Sequence, residues 1–472
     1  MRKLKIVTFG CQANELDSAR IAGLLARDGY RLTDEDSEAD LIILNGCSIR
    51  DKAEQKLFSR LGTLQSLKAR QPGLRLGVAG CLGQREGEAL LRRFPYLDLV
   101  VGNGEHLAEI PRLLRIADVR PSSATSEPTG LFPANVDVHR DSRFRAWVGI
   151  MEGCDNFCSF CVVPHTRGRE RSRPLDEILR EVADLRARGY REITLLGQTV
   201  NAYGRHDLRR GGAAGTVGFA ALLAQLDALP GLARIRYTSP HPSFFDDALI
   251  RAHAELPALC PHVHLPLQSG SDPVLARMRR RYRADEYRRL VERLRAARPD
   301  LALTTDLIVG FPGETDADFE ATLALVRDVG FVDAYTFKYS PRPGTAAARA
   351  EDPLPARVLE ERLEALQQLL RGLTLDAHRR RVGEITEVLV EGPSRRGGLQ
   401  GTGRDPYHRV VNFAVTGEAG PAAGELLRLR IVEATPHSLI GERLADAHEG
   451  LGSLTGAPGK ADERSWSAVS GP

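Results

Sequence analysis

The sequence predicts an α/β protein of three folded domains: an N-terminal parallel α/β domain, a central open barrel of six β/α units and a small C-terminal antiparallel β-barrel. Three observations predict this fold class. The chain has 472 residues, too many for one compact core. Strand and helix patterns alternate over most of its length, which favours parallel sheets. After Val382 the pattern changes to short strands with Gly-rich turns, which is typical of a small barrel.

The composition is that of a folded protein without a membrane span. Apolar residues make up 42% of the chain and charged residues 27%, and no apolar run approaches the roughly 20 residues that cross a bilayer. The N-terminus turns directly into a strand pattern and lacks the apolar core of a signal peptide. The 65 basic and 62 acidic residues nearly cancel, so the net charge of +3 indicates no particular partner. We expect a cytoplasmic protein that does not bind membranes and acts as a monomer.

In the N-terminal domain, residues 1–118, three predicted strands are each followed by a cysteine and a helical pattern. The strands are Leu4–Phe9, Asp40–Leu44 and Leu76–Ala79, and the cysteines are Cys11, Cys47 and Cys81. Because the carboxyl ends of parallel strands share one edge, where ligands usually bind, these cysteines are expected to meet in space. Free cysteines are often simply buried, so three unrelated core residues are the alternative.

A segment rich in Ser, Thr, Pro and Gly, residues 119–142, predicts a linker. The central domain, residues 143–378, contains six predicted strands separated by helical patterns, and six such units favour a partial TIM barrel that is open on one side. The predicted strands are Ala146–Met151, Glu192–Leu196, Arg234–Thr238, His262–Leu267, Leu303–Val309 and Ala334–Tyr339.

The C-terminal part predicts a small barrel and a tail. Residues 379–446 carry short strand patterns that suit an OB-like antiparallel barrel, a fold that often binds nucleic acid. Residues 447–472 are mostly Gly, Ser, Ala and Pro and predict disorder.

The strongest local signal is the loop after the first barrel strand, which holds Cys154, Cys158 and Cys161. Zinc sites prefer paired Cys-x2-Cys units, and no partner pair lies elsewhere in the chain. Three thiolates suit a cubic iron–sulfur cluster and leave one of its four irons open. An open metal position at the carboxyl end of a barrel strand predicts a reactive site.

The spacing Cys-x3-Cys-x2-Cys, with an aromatic residue before the last cysteine, resembles the signature of radical S-adenosylmethionine (SAM) enzymes. The resemblance implies that SAM binds the open iron and is cleaved by electron transfer to a 5′-deoxyadenosyl radical. It implies that Cys154, Cys158 and Cys161 are the catalytic loop and that Phe160 lies beside the adenine. Further cosubstrate contacts are expected from Gln198, Gly310, Gly313 and Glu314.

Apart from its tail, the whole chain resembles the methylthiotransferase family. The motifs that carry this resemblance are Thr8-Phe9-Gly10-Cys11-Gln12, Asn45-Gly46-Cys47-Ser48-Ile49-Arg50 and Val78-Ala79-Gly80-Cys81. The resemblance implies that Cys11, Cys47 and Cys81 bind a second, auxiliary [4Fe–4S] cluster with one open iron. It also implies two SAM molecules per product, one as methyl donor and one as radical source, and an electron donor of the flavodoxin or ferredoxin type.

Three segments most resemble the branch of the family that acts on tRNA. They are Ser48–Lys56, Val163–Arg173 and Leu195–Asn201. That branch converts N6-isopentenyladenosine next to the anticodon to its 2-methylthio derivative, and its C-terminal barrel is the TRAM RNA-binding domain. RNA recognition usually combines unstacked loop bases with cations on the phosphates. We therefore expect phosphate contacts from Arg167, Arg169, Arg171 and Arg173.

Other functions fit parts of the pattern. The same cysteines would serve a methylthiotransferase that acts on a threonylcarbamoyl-modified adenosine in tRNA or on an aspartate of a ribosomal protein. An RNA-binding protein with structural or redox-sensing clusters would explain the basic segments and the last barrel, but not the position of Phe160 or the six-unit barrel. A structural zinc module would contain zinc and no iron chromophore.

Overall fold

A computed structural model describes residues 1–48, 51–117, 120–126, 138–209, 215–350, 352–394, 400–415 and 420–444. The tail predicted for residues 447–472 and the middle of the linker predicted for residues 119–142 lie outside these described residues. None of the helices in the described ranges is both long enough and apolar enough to cross a membrane.

The N-terminal domain is a six-stranded sheet in which every strand pairs parallel to its neighbours, in the order β2-β1-β3-β4-β5-β6. Its strands are β1 (Arg2–Phe9), β2 (Tyr30–Leu32), β3 (Leu41–Gly46), β4 (Arg75–Ala79), β5 (Leu99–Val101) and β6 (Ser122–Ala124). Its helices are α1 (Gln12–Arg27), α2 (Asp51–Arg70), α3 (Gly80–Glu86), α4 (Glu88–Arg93) and α5 (Ile110–Ile116), with 3₁₀ helices at Asp36–Glu38 and Gly104–Glu109.

Helices cover both faces of this sheet. On one face Leu57 and Leu61 of α2 pack on Ile42, and on the other Ile21 of α1 packs on Ile43. All six residues of β3 are buried, as expected for a central parallel strand. The three strands predicted in this domain are β1, β3 and β4, which adjoin one another. The sequence analysis missed β2, β5 and β6, and β6 lies within the segment predicted as linker.

The central domain contains the six predicted strands in sequential spatial order. Strands β7, β10 and β11 form one parallel sheet and β12, β13 and β14 another, and a parallel bridge between Ile235 and Leu259 joins them. Within the described residues β7 and β14 do not pair, so the predicted open barrel is confirmed. The six barrel strands are β7 (Arg145–Gly149), β10 (Glu192–Leu196), β11 (Arg234–Tyr237), β12 (His262–His264), β13 (Ala302–Val309) and β14 (Asp333–Lys338). Two further short strands, β8 (Met151–Glu152) and β9 (Arg171–Ser172), pair with each other.

Helices surround this barrel and share one apolar core with the strands, in which Val148, Ile193, Val263 and Leu307 are completely buried. The helices are α6 (Val163–Thr166), α7 (Leu175–Ala187), α8 (Arg205–Arg209), α9 (Phe219–Asp227), α10 (Asp247–Glu255), α11 (Asp272–Arg277), α12 (Ala284–Ala297), α13 (Asp316–Val329) and α14 (Ala356–Arg379). Short 3₁₀ helices lie at Val200–Ala202, Pro242–Phe244 and Ala347–Arg349.

The C-terminal domain is a closed five-stranded barrel in the order β15-β16-β17-β19-β18. Its strands are β15 (Ile385–Pro393), β16 (Gln400–Arg404), β17 (Val410–Ala414), β18 (Leu426–Ala434) and β19 (Leu439–Arg443). The pairing is antiparallel as predicted, except that β17 and β19 run parallel. In β16, Gly401 lies directly under the ring of Phe413.

A segment of the C-terminal barrel, residues 404–409, closes the amino-terminal end of the central barrel. We call this segment the plug. Arg236 of β11 donates hydrogen bonds of 2.9 Å to the backbone carbonyls of Asp405 and Pro406. Arg234 donates to the carbonyls of Arg404 and Glu387 at 2.8 and 2.7 Å. The carboxyl ends of the barrel strands, where the three-cysteine loop lies, therefore form the opposite end.

Candidate active site

Cys11, Cys47 and Cys81 follow three neighbouring strands of the N-terminal sheet, β1, β3 and β4. Cys47 and Cys81 are buried, and Cys11 is half-buried. Burial raises the pKa of Cys81 to about 12, against the lowering effect of Arg167, and Cys47 and Cys11 add to the rise. The residues before Cys11 and Cys81 both pack on the loop of Cys47, since a Cβ atom on Gly10 would lie 2.7 Å from Cβ of Cys47 and one on Gly80 would lie 3.0 Å from the carbonyl oxygen of Gly46. The strand ends therefore bring the three cysteines together.

A buried amide network fixes the loops that carry these cysteines. The Asn14 amide donates to the Asn45 side chain at 3.0 Å and to the carbonyl of Gly46 at 3.2 Å. Asn45 in turn donates to the carbonyl of Asn14 at 2.8 Å. Gly80 sits against this network with φ +86°, and a Cβ atom there would lie 2.1 Å from Oδ1 of Asn45. Only glycine combines that backbone conformation with so close an approach.

The second set of cysteines lies in the loop between β8 and α6. Strands β8 and β9 form a short antiparallel pair, so the chain after α6 turns back along the loop. Gly153 allows this close packing: its φ is +77°, and a Cβ atom would lie 2.0 Å from the carbonyl oxygen of Arg169. Ser159 anchors the other side of the loop, because its backbone N–H donates to the carbonyl of Met278 at 3.1 Å and its carbonyl accepts from Ala347 at 2.8 Å.

Polar groups from three elements contact the sulfur atoms of this loop. The hydroxyl of Thr199 lies 3.1 Å from Sγ of Cys154, and the Asn156 amide donates to the same sulfur at 3.6 Å. Arg280 donates to Sγ of Cys158 at 3.5 Å. Burial, followed by the neighbouring Cys158, raises the pKa of Cys161 to about 12. The loop therefore gathers three thiols and places polar groups beside Cys154 and Cys158.

This donor set fits an iron–sulfur cluster. Cysteine thiolates are the ligands of such clusters, and hydrogen bonds to the sulfurs tune their potentials. Among the described residues no group of three or more His, Cys, Asp and Glu side chains is arranged to hold a single metal ion, so the fit to a cluster rests on the number, identity and placement of the thiols. Cys260 belongs to neither set; it is buried, and burial raises its pKa against the lowering effect of Arg236.

The residues expected to contact the cosubstrate differ from one another in burial and in their contacts. Phe160 is half-buried and meets Phe311 edge to face, with ring centroids 6.4 Å apart. Oε1 of Gln198 is buried without a hydrogen-bond partner and lines a small cleft beside α1, so it is oriented to receive a donor. Gly310 and Gly313 both have a φ of +72° and form the turn after β13.

Glu314 corrects one expectation. Its carboxylate accepts from the backbone N–H of Gly310 at 3.0 Å and from Arg362 at 2.6 Å, and the residue is 3% exposed. A carboxylate with these partners stabilises the turn from its buried side. We therefore assign Glu314 to support of the turn and not to direct contact with a cosubstrate.

The arginines expected to contact phosphates are also corrected. Arg167 pairs with Asp17, Arg171 lies 3.7 Å from Glu105, and Arg173 pairs with Glu181. These three side chains are 13% exposed or less, so they are not available to an RNA backbone. Arginine at every second position of residues 167–173 suggested one exposed face of an extended segment. The strand observed there, β9, is only two residues long, and the segment turns inward on either side of it. Only Arg169, with a side chain 71% exposed, faces solvent.

The buried arginines instead join the two cysteine sites. Arg167, just after the loop of Cys154, donates to Asp17 of α1 at 2.6 Å. Burial alone would lower the pKa of Arg167, but Asp17 and then Cys81 raise it well above its usual range. Asn103 bridges the same boundary, because its amide donates to the carbonyl of Thr166 at 3.0 Å and to Sγ of Cys81 at 3.6 Å.

Sequence reasoning missed these connecting residues. Asp17 and Arg20 are one turn apart on α1, a spacing common on exposed helix faces, and Asn103 follows the undetected strand β5. Arg280 belongs to a run of arginines in which Arg279, Arg281 and Arg283 are exposed. Its position beside Cys158 had no separate signal in the sequence.

Comparisons with known proteins agree with this arrangement. Family models match three regions: the uncharacterized protein family UPF0004 over residues 3–102, the radical SAM superfamily over residues 148–326 and the TRAM domain over residues 379–444. A solved structure with a similar fold is the radical S-adenosylmethionine methyltransferase TsrM from Kitasatospora setae with cobalamin and a [4Fe–4S] cluster bound. Its TM-score is 0.50 at 15% identity, over 74% of this chain and 77% of that one.

Relatives are similar over nearly their whole length. The tRNA-2-methylthio-N(6)-dimethylallyladenosine synthase of Leptothrix cholodnii is 46% identical over 449 residues, which cover 93% of both chains. The protein of the same name from Geobacter metallireducens is 47% identical over 446 residues, or 93% of this chain and 98% of the relative. Similarity at this level extends through all three domains.

Proposed function

The chain belongs to the family of tRNA-2-methylthio-N(6)-dimethylallyladenosine synthases, and on that basis we propose that it converts N6-dimethylallyladenosine (isopentenyladenosine) next to the anticodon of tRNA to its 2-methylthio derivative. The reaction is a radical C–H activation followed by sulfur insertion, and it uses two SAM molecules. The observation that carries the proposal is the junction of two three-cysteine sites through Arg167, Asp17 and Asn103.

We propose that each three-cysteine site holds one [4Fe–4S] cluster. When bound, the cluster at Cys154, Cys158 and Cys161 supplies the electron that cleaves SAM, and the cluster at Cys11, Cys47 and Cys81 holds the sulfur that is inserted. Two observations support two clusters. The cysteines of each set lie close together, because the glycines before Cys11 and Cys81 pack against the loop of Cys47 and the other three cysteines share one loop. Both sets also lie at carboxyl ends of parallel strands, where ligands bind.

The protein's own side chains prepare these sites. Arg280 places a positive charge beside Cys158, and Thr199 and Asn156 hydrogen-bond Cys154. Hydrogen bonds and positive charge of this kind at cluster sulfurs tune the potential of a bound cluster. Phe160 offers an apolar, half-buried surface for the adenine of SAM, and the unpaired oxygen of Gln198 offers an acceptor near the junction.

In contrast to the buried contacts at the cysteines, recognition of the RNA requires exposed, positively charged side chains. The C-terminal barrel matches the TRAM domain, and Arg169 presents an exposed cation beside the cysteine loop. The target base must leave its stack to bring its C2 edge to the site. We further propose that the protein works in the cytoplasm as a monomer and receives electrons from a flavodoxin or ferredoxin.

One reconstitution experiment tests the function. The protein is loaded anaerobically with iron and sulfide and incubated with SAM, dithionite and tRNA that carries isopentenyladenosine, and nucleosides are analysed by mass spectrometry. We expect the 2-methylthio nucleoside, together with 5′-deoxyadenosine. A parallel tRNA that carries threonylcarbamoyladenosine tests the alternative substrate. Conversion of only the second tRNA, or of neither, would overturn the proposal.

A further inference from the structure

Phe157 is a large apolar side chain that faces solvent within the cysteine loop. It lies between Cys154 and Cys158, and it is 40% exposed. Its φ is +47°, a conformation that is uncommon for residues other than glycine and strained for bulky ones. Burial of the ring offsets this strain only in part, because the residue is 40% exposed. The fold thus holds an aromatic ring at the rim of the site at a cost in stability.

Two cationic or polar side chains surround this ring. The guanidinium carbon of Arg169 lies 5.8 Å from the ring centroid, within the range of a cation–π contact. The ring of His165 meets Phe157 edge to face at 6.5 Å. Both His165 and Arg169 are exposed. The loop geometry explains this grouping, because the β8–β9 pair turns the chain back and places residues 165–169 beside residue 157.

Asp155 holds Arg169 in place with both carboxylate oxygens. The Nε atom of Arg169 donates to Oδ1 at 2.7 Å and Nη2 donates to Oδ2 at 3.1 Å. The guanidinium is thereby held over the ring instead of moving freely in solvent. An exposed aromatic face next to a fixed guanidinium is the combination that binds unpaired bases of RNA, which stack on the ring while the phosphate meets the cation.

We propose that Phe157 is the stacking platform for a base adjacent to the target nucleotide, and that Arg169 contacts the phosphate between them. This inference rests on the proposed function, since it takes tRNA as the substrate. Extruding the target base leaves its neighbours without a stacking partner, and an aromatic ring at the rim replaces that partner. Phe157 then takes part in recognition of the RNA, and it is separate from the residues that hold the cluster and the cosubstrate.

RNA binding by variants of Phe157 tests the platform. The probe is an anticodon stem-loop RNA that carries isopentenyladenosine, with 2-aminopurine replacing either the base before or the base after the target. Phe157→Asn removes the ring while keeping a residue that tolerates positive φ, and Phe157→Leu removes only the aromatic character. Phe157→Trp retains stacking. Leu32→Ala, at an apolar residue 45% exposed on the N-terminal domain, is the matched control.

We expect both non-aromatic variants to raise the Kd of the RNA by about fivefold or more, which is the lower range of what loss of one base stack causes. Wild type, Phe157→Trp and Leu32→Ala should bind alike and quench 2-aminopurine at one of the two flanking positions. Phe157→Asn and Phe157→Leu should relieve that quenching. Iron content, measured on every sample, verifies that the cysteine loop is intact.

Equal Kd values and equal quenching in wild type, Phe157→Asn and Phe157→Leu would overturn the platform. Weaker binding without any change in quenching at either flank would also overturn it, because stacking would not be the cause. Binding is measured without turnover, so these outcomes are independent of the reaction. If wild type binds the RNA but forms no methylthio product, the proposed function fails while the role of Phe157 is still decided.

Discussion

Arg167 and Asp17 are 150 positions apart in the sequence and form a buried ion pair with an N–O distance of 2.6 Å. The pair links the loop that follows Cys154 to the helix that follows Cys11. Arg20 strengthens the same boundary through a 2.9 Å contact with Glu152. Buried ion pairs that are largely excluded from water thus join the N-terminal and central domains.

We predict that Arg167→Gln destabilises the protein by about 3 kcal/mol, because it removes the 2.6 Å partner of the buried Asp17 carboxylate and leaves only Arg20, 3.6 Å away. Chemical denaturation followed by fluorescence measures this loss. Arg180→Gln is the control: Arg180 pairs with Asp176 one turn away, but both side chains are about 70% exposed, and such pairs contribute roughly 0–1 kcal/mol. Equal stability of the two variants would refute the role of the buried pair.

The two cysteine sets should fail differently when mutated. Cys158→Ala should abolish formation of 5′-deoxyadenosine, because it removes a thiol from the site assigned to SAM cleavage. Cys47→Ala should block formation of the methylthio nucleoside while leaving some 5′-deoxyadenosine. Chromatography of both products from one reaction separates these outcomes. An equal loss of 5′-deoxyadenosine in both variants would argue against separate roles.

Gly80→Ala should disrupt the N-terminal cysteine site. The added Cβ would lie 2.1 Å from Oδ1 of Asn45 at a residue with φ +86°, so the loop with Cys81 must shift. We expect about half of the protein-bound iron to be lost if each site holds one cluster of four. Gly62→Ala in α2 is the control, because nothing lies within 4 Å of its added atom and alanine stabilises a helix by about 1 kcal/mol. Iron assay and chemical denaturation test both variants.

The contact between the plug and the central barrel should depend on Arg236. This residue is 6% exposed and pairs with Glu192 at 3.0 Å, so Arg236→Gln leaves a buried carboxylate and removes two hydrogen bonds to the plug. We expect limited proteolysis to release the C-terminal barrel several times faster than in wild type. Arg428→Gln, at an exposed position of β18, should be cleaved like wild type. Equal rates for both variants would show that Arg236 does not hold the plug.

Buried histidines predict acid sensitivity of the central domain. Burial lowers the pKa of His253 to about 3, and the ring lies 2.6 Å from the hydroxyl of Tyr237. Below the unfolded pKa of about 6.5 the unfolded chain binds more protons, so stability falls as pH drops from about 6.5 towards 3, by up to about 1.4 kcal/mol per unit. Unfolding curves between pH 5 and 7.5 should show a smaller pH dependence for His253→Gln. An unchanged slope would contradict the assignment.

The sequence predicted the elements whose patterns are long enough to detect. Strands β1, β3 and β4 were found, and they are neighbours in one parallel sheet, so the residues that follow them, Cys11, Cys47 and Cys81 among them, share its carboxyl edge. Strands β2, β5 and β6 have three residues each, too few for an alternating pattern. The open barrel was predicted because each of its six strands is followed by a helix, and that alternation is visible along the chain.

The direction of single side chains was the part that could not be predicted. Arg167, Arg171 and Arg173 looked like Arg169 in the sequence, but their carboxylate partners Asp17, Glu105 and Glu181 lie elsewhere in the chain. Glu314 likewise depends on Arg362, which is 48 positions away. Local spacing cannot tell a cation that meets a ligand from one that meets a distant residue of its own fold.

The plug has a consequence for experiments in which the protein is shortened. Arg234 and Arg236 are both buried in the intact chain. In a polypeptide ending near Arg379 they would be exposed at the amino-terminal end of the central barrel, and they would lack the carbonyls that accept their hydrogen bonds. Loss of product by such a polypeptide would therefore report damage to the catalytic domain as well as missing RNA affinity. Point changes on the outer surface of the C-terminal barrel separate the two effects, whereas deletion merges them.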